Sequence, residues 1–206
     1  PLALKIPRLV PSYMNLETPP EVPTIGSFGF PFRDKGFGRL VEMVQEEFDR
    51  ARILLHLPQN DIVPTNVEEV LEAVRSKIRK PGIEAAVNHR FLSKQELLLF
   101  LSQNSLNVFL YDEHKREGIS SVVEKAMAVG RPVAVNRSGM CRHIHGAQPS
   151  ITLGDRSLKE IMASGIAPLV PYLNEWSEGA FVKGVEEALD RVVPQPRVAP
   201  GTEAEP

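Results

Sequence analysis

Glu117-Gly-Ile-Ser-Ser-Val-Val-Glu-Lys-Ala-Met-Ala-Val-Gly-Arg-Pro-Val-Ala-Val135 decides the fold. A loop bearing a carboxylate runs into a helix and then, through Gly-Arg-Pro, into a strand. The apolar run just before it, residues 106–111, reads as a buried parallel strand. Glu117 and the amides of residues 118–121 therefore fall beyond that strand's carboxyl end, where open α/β sheets bind their ligands.

Outward from that stretch, strands alternate with amphipathic helices. This is the signature of an α/β, doubly wound parallel sheet with helices on both faces. Residues 24–30 read as the first strand and 38–48 as a helix whose Leu40, Val41, Val44 and Phe48 share one face. Residues 51–57 form the second strand. Asn66 can cap a helix over 67–79 that turns Val70, Leu71 and Val74 inward, and Pro81-Gly82 stops it. Residues 83–87 form the third strand. Ser93 caps a helix over 94–102 with Glu96 at its third position, a capping box. The helix after Glu117 spans 120–129, and the fifth strand spans 132–135. Weaker signals give a short strand at 151–153, a short helix at 158–163 and a last amphipathic helix at 179–193 using Val182, Val185, Leu189 and Val192.

Pro7, Pro11, Pro19, Pro20 and Pro23 remove amide donors from the first 23 residues and forbid a continuous helix there. That segment reads as an extended lead-in or interdomain connector. Residues 24–193 are then one Rossmann-like domain. The tail at 194–206 has little apolar surface to bury and is expected to be disordered.

With 206 residues, 42% hydrophobic and 24% charged, the chain can bury one sizeable core. A net charge of −2 leaves no footprint for a nucleic-acid backbone. No stretch approaches the roughly 18 apolar residues of a membrane span. The first residues lack the apolar core and cleavage site of a secretory signal. The single cysteine, Cys141, excludes an internal disulfide framework and a cysteine-rich zinc site, so a reducing, cytoplasmic setting is expected. The chain starts at Pro1 without an initiator Met, and a fragment of a longer protein is the expectation.

The first strand ends in Gly26-Ser-Phe-Gly29-Phe-Pro-Phe-Arg33-Asp-Lys35-Gly36, and a helix begins soon after. A glycine-bearing turn opening onto a helix N-terminus offers amides and a positive dipole end to an anion. Arg33 and Lys35 would add charge-assisted contacts to phosphate oxygens, or else line a solvated turn. The spacing matches neither Gly-x4-Gly-Lys-Ser/Thr nor Gly-x-Gly-x-x-Gly. His89, beside Arg90 at the third strand's carboxyl end, could reach a phosphate or sugar hydroxyl, or else is a surface or half-buried imidazole. His114 lies in a charged loop, and charge runs are usually solvated. His143 and His145 have no further ligand set beyond Cys141, so a metal site is not expected. Ser120 and Ser121 lack a nucleophile-elbow pattern.

The ordered set Gly-x-Phe-Gly…Lys-Gly, Phe91-Leu-Ser-Lys-Gln-Glu-Leu97, Val108-Phe-Leu-Tyr111, Glu117-Gly and Ala126-Met-Ala-Val-Gly-Arg-Pro-Val133 resembles a known family. It is similar to the nucleotide-sugar-binding half of the glycosyltransferase B-type (GT-B) fold in retaining enzymes that use UDP-, GDP- or ADP-sugars. The match runs from about residue 25 to about residue 144 and lies in order and spacing.

The resemblance implies that Gly29 and Lys35 sit at the diphosphate, with Lys35 neutralising charge on the departing nucleotide. Phe91 and Leu92 fall where the family holds the base. Glu117 matches the first carboxylate of the family's Glu-seven residues-Glu motif and faces the donor sugar, with Gly118, Ile119, Ser120 and Ser121 supplying nearby amides. Two positions depart from the pattern. Phe30 stands where the family commonly has Arg, which leaves Arg33 to complete the diphosphate clamp. The family's second glutamate, the ribose ligand, falls on Lys125, and Glu124 sits one residue early, about 100° away around a helix. The implied activity is retaining sugar transfer with no obligatory metal. An acceptor-binding domain preceding Pro1 in the parent chain is the implied partner. The rival reading is a non-catalytic binding or assembly module, for which Phe30 and Lys125 speak. A phosphoacceptor domain built on Asp112 fails because no acidic pair follows the first strand.

Overall fold

The computed structural model describes residues 6–14, 17–59, 67–113 and 118–192. Five strands, β1 (Thr24–Phe28), β2 (Ala51–His56), β3 (Ile83–Asn88), β4 (Leu106–Phe109) and β5 (Val133–Val135), form one sheet in the order β3-β2-β1-β4-β5. All four pairings are parallel. Helices α1 (Phe37–Glu47), α2 (Val67–Arg75), α3 (Lys94–Ser102) and α4 (Val122–Ala128) supply the crossovers. Three more, α5 (Leu158–Ala163), α6 (Val170–Glu175) and α7 (Glu178–Val192), follow the last strand. The order reverses between β1 and β4, which places the topological switch point there.

Every residue of β1, β4 and β5 is buried, as a strand covered on both faces requires. Ile25 registers with Ile53 on one side and Leu106 on the other, and all three are fully buried. Helix α1 turns Leu40, Val41 and Val44 onto this core, and α2 adds Val70 and Val74 and buries Leu71. Ser93 makes the expected capping box with Glu96, and Ser157 makes a second with Glu160 at the start of α5.

Three elements differ from the sequence pattern. Helix α2 stops at Arg75, because the buried Gln45 side chain takes over the chain beyond it. Its amide donates to the Lys77 carbonyl at 2.7 Å, and its oxygen accepts from the amides of Arg79 and Lys80. The expected strand at 151–153 is reduced to two isolated bridges, Thr152 with Val135 and Leu153 with Arg156, with the Leu153 amide donating to the Val135 carbonyl at 2.7 Å. Helix α7 forms, yet Val182, Leu189 and Val192 of its apolar stripe are exposed. Its half-buried face is instead Phe181, Gly184, Val185 and Ala188.

That face receives the lead-in. A Cβ on Gly184 would come within 2.5 Å of Pro7 Cδ, so only glycine admits the proline ring at this spacing. The Val10 amide donates to the Trp176 carbonyl at 2.9 Å, and Val10 is buried. Further along, Arg131 donates to the carbonyls of Ser102 and Glu17. The described lead-in is thus packed against the domain at both ends. Asn66, His114, Glu117 and the tail at 194–206 lie outside the described residues.

Candidate functional site

At the switch point β1 ends on Phe28, whose ring meets Phe109 of β4 edge-on at 5.5 Å. Gly29 follows with φ +142°, and its amide donates to the His56 carbonyl at 3.0 Å. A Cβ here would lie 2.5 Å from Lys35 Nζ, so the glycine lets the ammonium lie directly against the end of the strand. Lys35 closes a short 3-10 turn, Arg33–Lys35, and Gly36 leads into α1. Its Nζ lies 5.2 Å from the Tyr111 ring centroid, a cation–π contact.

Tyr111 is the hinge between Lys35 and the loop after β4. Its hydroxyl and Ser120 Oγ are 2.5 Å apart, and burial pushes its pKa up to about 12, so the phenol stays protonated. Asn136, beyond β5, fixes the Tyr111 backbone on both sides: it accepts from the amide at 3.1 Å and donates to the carbonyl at 2.7 Å. Ser138 donates to the Asp112 carbonyl, and the Ser120 amide donates to the Met140 carbonyl at 2.9 Å. Arg142 donates to the Gly118 carbonyl at 2.5 Å. The described residues on either side of Glu117 are therefore tied down, and Ser120 shares one tyrosine with Lys35. Lys35, lying against Gly29, and Ser120 are joined at one end of the sheet through Tyr111, and Gly118 is tied to Arg142.

Other expected site residues lie elsewhere. Arg33 pairs with Glu69 of α2 at 2.7 Å. Phe30 packs near Phe32, with ring centroids 6.2 Å apart. Phe91 is exposed beyond β3 and Leu92 is half-buried. Arg90 pairs with Glu96, and His89 Nδ1 lies 3.3 Å from the Leu57 carbonyl. Ile119 and Ser121 face solvent.

Glu124 is 4% exposed and bonded to Arg8 of the lead-in. On its other side lies His143 Nε2, at 3.9 Å. Desolvation first, then the nearby Arg8 charge, push the His143 pKa down to about 4, so this imidazole is neutral at pH 7. Trp176 stacks on His143 at 5.8 Å, and the Arg8 guanidinium lies 6.0 Å from the Trp176 ring. Burial also pushes the Cys141 thiol up to about 12, which makes it unreactive at neutral pH. Among the described residues no three His, Cys, Asp or Glu side chains cluster in a way that could hold a metal ion. Nor is any described helix long and apolar enough to cross a membrane.

Sequence reasoning missed Tyr111 and Arg8. The first was hidden inside an apolar run, and the second is one charge in a proline-rich segment.

No family model and no curated protein matches this sequence. Solved structures do. The chain has the fold of one GT-B half. It superimposes on the HepE protein of Anabaena, solved in complex with UDP-glucose, with a TM-score of 0.60 at 13% identity, over 83% of this chain and 49% of that one. A glycosyltransferase of Rickettsia africae ESF-5 gives 0.60 at 15%, over 84% and 48%. A trehalose-6-phosphate synthase studied for glycosyltransfer with retention gives 0.56 at 12%, over 84% and 46%. The chain thus spans just under half the length of these structures, and identities this low carry the fold alone.

Proposed function

We propose that this chain is the donor-binding domain of a glycosyltransferase that moves a sugar from a nucleotide-diphosphate sugar to an acceptor held by a second domain of the parent protein. The observation that carries the reading is the convergence of Gly29, Lys35, Tyr111 and Ser120 at the β1/β4 switch point. Transfer requires charge developing on the leaving diphosphate to be stabilised. Lys35, placed against Gly29, supplies a cation for it without an obligatory metal. Tyr111 holds that ammonium from below. By the family resemblance, Glu117 is assigned to the donor sugar, and the amides of Gly118 to Ser121 to the sugar or phosphates. Phe91 and Leu92 flank the base. Front-face, retaining transfer in a cytoplasmic setting completes the proposal.

Calorimetric titration with UDP-, GDP- and ADP-sugars tests it. One nucleotide class is expected to bind, and Lys35→Ala is expected to weaken it by about tenfold or more, the value of one charge-assisted contact. No binding by any of the three at millimolar concentration overturns the reading.

A second reading, a module that keeps the sheet without the chemistry, is favoured by particular observations. Arg33 is engaged by Glu69, Glu124 by Arg8, and Phe30 and Lys125 stand at motif positions. Nucleotide affinity that appears only in the Phe30→Arg, Lys125→Glu double variant supports the module.

A further inference from the structure

A cleft of about 420 Å³ lies at the amino-terminal edge of the sheet, the end opposite the crevice that holds Lys35. The topology puts it there. The neighbouring strands β1, β4 and β5 are entered through Pro23, Ser105 and Pro132, and all three residues line the cleft. The lead-in adds Pro19 and Pro20, and the chain around the end of α5 adds Met162 and Ile166, so the lining is largely apolar. None of the residues assigned to the nucleotide sugar is among them.

One buried charge opens onto this space. Arg131 lines the cleft and is 7% exposed. Its Nε donates to the Ser102 carbonyl at 2.8 Å and its Nη2 to the Glu17 carbonyl at 2.7 Å. Both acceptors are neutral. Among the described residues Nη1 makes no hydrogen bond and the guanidinium forms no ion pair. Burial lowers the Arg131 pKa from its usual value, and the charge of the exposed Glu17 offsets only part of this. A buried cation in that state is costly until an anion meets it. A second observation limits which anion. Glu21 lines the same cleft and is exposed, so a ligand carrying several negative charges is repelled there. One cation, one opposing carboxylate and apolar walls together describe a singly charged anion with an apolar body.

We propose that this cleft binds a small monocarboxylate with an apolar body, a short fatty acid or an aryl acid, its carboxylate paired with Arg131 and its body packed among Pro20, Pro132, Met162 and Ile166. The proposal stands apart from the donor reading, because the two sites lie at opposite ends of the sheet and share no residue. Arg131 also holds the lead-in through Glu17, so an occupied cleft stabilises the folded chain by mass action.

Calorimetry at low salt with octanoate, 3-phenylpropanoate, octan-1-ol and inorganic phosphate as probes tests it. At least one of the two acids is expected to bind at millimolar concentration, and the tighter of the two identifies a fatty or an aryl acid. Octan-1-ol, with the same chain and no charge, should bind at least roughly tenfold more weakly than octanoate, and phosphate should not bind. Arg131→Met should weaken the preferred acid at least roughly tenfold. Glu21→Lys leaves the bonds of Arg131 in place and exchanges an opposing charge for an attracting one. It should tighten the acid about threefold or more at an unchanged Tm, a readout that holds even where Arg131→Met fails to fold. Lys35→Ala should leave the acid's affinity at the parent value. The proposal is overturned if neither acid binds at millimolar concentration, if octan-1-ol or phosphate binds as tightly as the acids, or if Glu21→Lys changes nothing. Loss of acid binding in Lys35→Ala overturns it as well, while the nucleotide-sugar titrations decide the donor reading separately.

Discussion

Replacing Arg8 by methionine removes the cation bonded to Glu124 and keeps an unbranched stem beside Trp176. His143 cannot take over at neutral pH, since its pKa lies near 4. The variant leaves a carboxylate buried to 4% exposure without its counter-charge. Removing one partner of a fully buried pair costs about 3–5 kcal/mol. Because the Arg8 side chain keeps 31% of its exposure, solvent screening reduces the expected loss to roughly 2–3 kcal/mol. For a chain of this size that corresponds to a fall in Tm of roughly 5–10 °C. Urea unfolding followed by circular dichroism at pH 7 measures it, with Glu124→Gln and the double variant completing a cycle. The double variant should lose less than the sum of the singles, with a coupling of about 1–2 kcal/mol. An Arg8→Met stability within about 0.5 kcal/mol of the parent, or strict additivity, refutes the reasoning.

Three further outcomes are expected. His143 titrates near 4 when folded against 6.5 ordinarily, so the unfolded chain takes the proton first. Stability is therefore full above about pH 6.5 and is lost as pH falls toward 4, with a slope approaching ~1.4 kcal/mol per pH unit. His143→Phe should flatten that limb in pH-dependent urea titrations, and an unchanged slope counts against it. Gly29→Ala places a Cβ at a φ of +142° and 2.5 Å from Lys35 Nζ, so nucleotide-sugar affinity should fall at least as far as in Lys35→Ala. Retained affinity would detach Lys35 from the site. Cys141, fully buried with its pKa near 12, should ignore a disulfide reagent at pH 8 until denaturant is added. One rapid equivalent from the native protein would contradict its placement.

The sheet was legible because its information is local. Buried runs such as residues 106–109, stops such as Gly130-Arg131-Pro132 and the Ser93–Glu96 capping box each announce an element within a few residues. Pairing Lys35 with the end of β1 was also legible, since a glycine before a lysine-bearing turn is a local pattern. What escaped depends on distant partners. Arg8 meets Glu124 across 116 positions, and no periodicity in a proline-rich segment signals it. Arg33 read as a phosphate contact because Glu69, 36 residues away, was not foreseeable as its partner. The end of α2 was decided by Gln45 from another helix. The stripe on α7 was read by its period, which gives the spacing of a face and not which side meets the protein.

Gly184 carries a practical consequence for anyone trimming this protein. The alternating pattern begins at Thr24, and a cut there looks harmless on the page. It would lift Pro7 off Gly184 and Val10 off Trp176, and it would strip Glu124 of its guanidinium in the same stroke. The shortest product worth expressing therefore starts no later than Ile6.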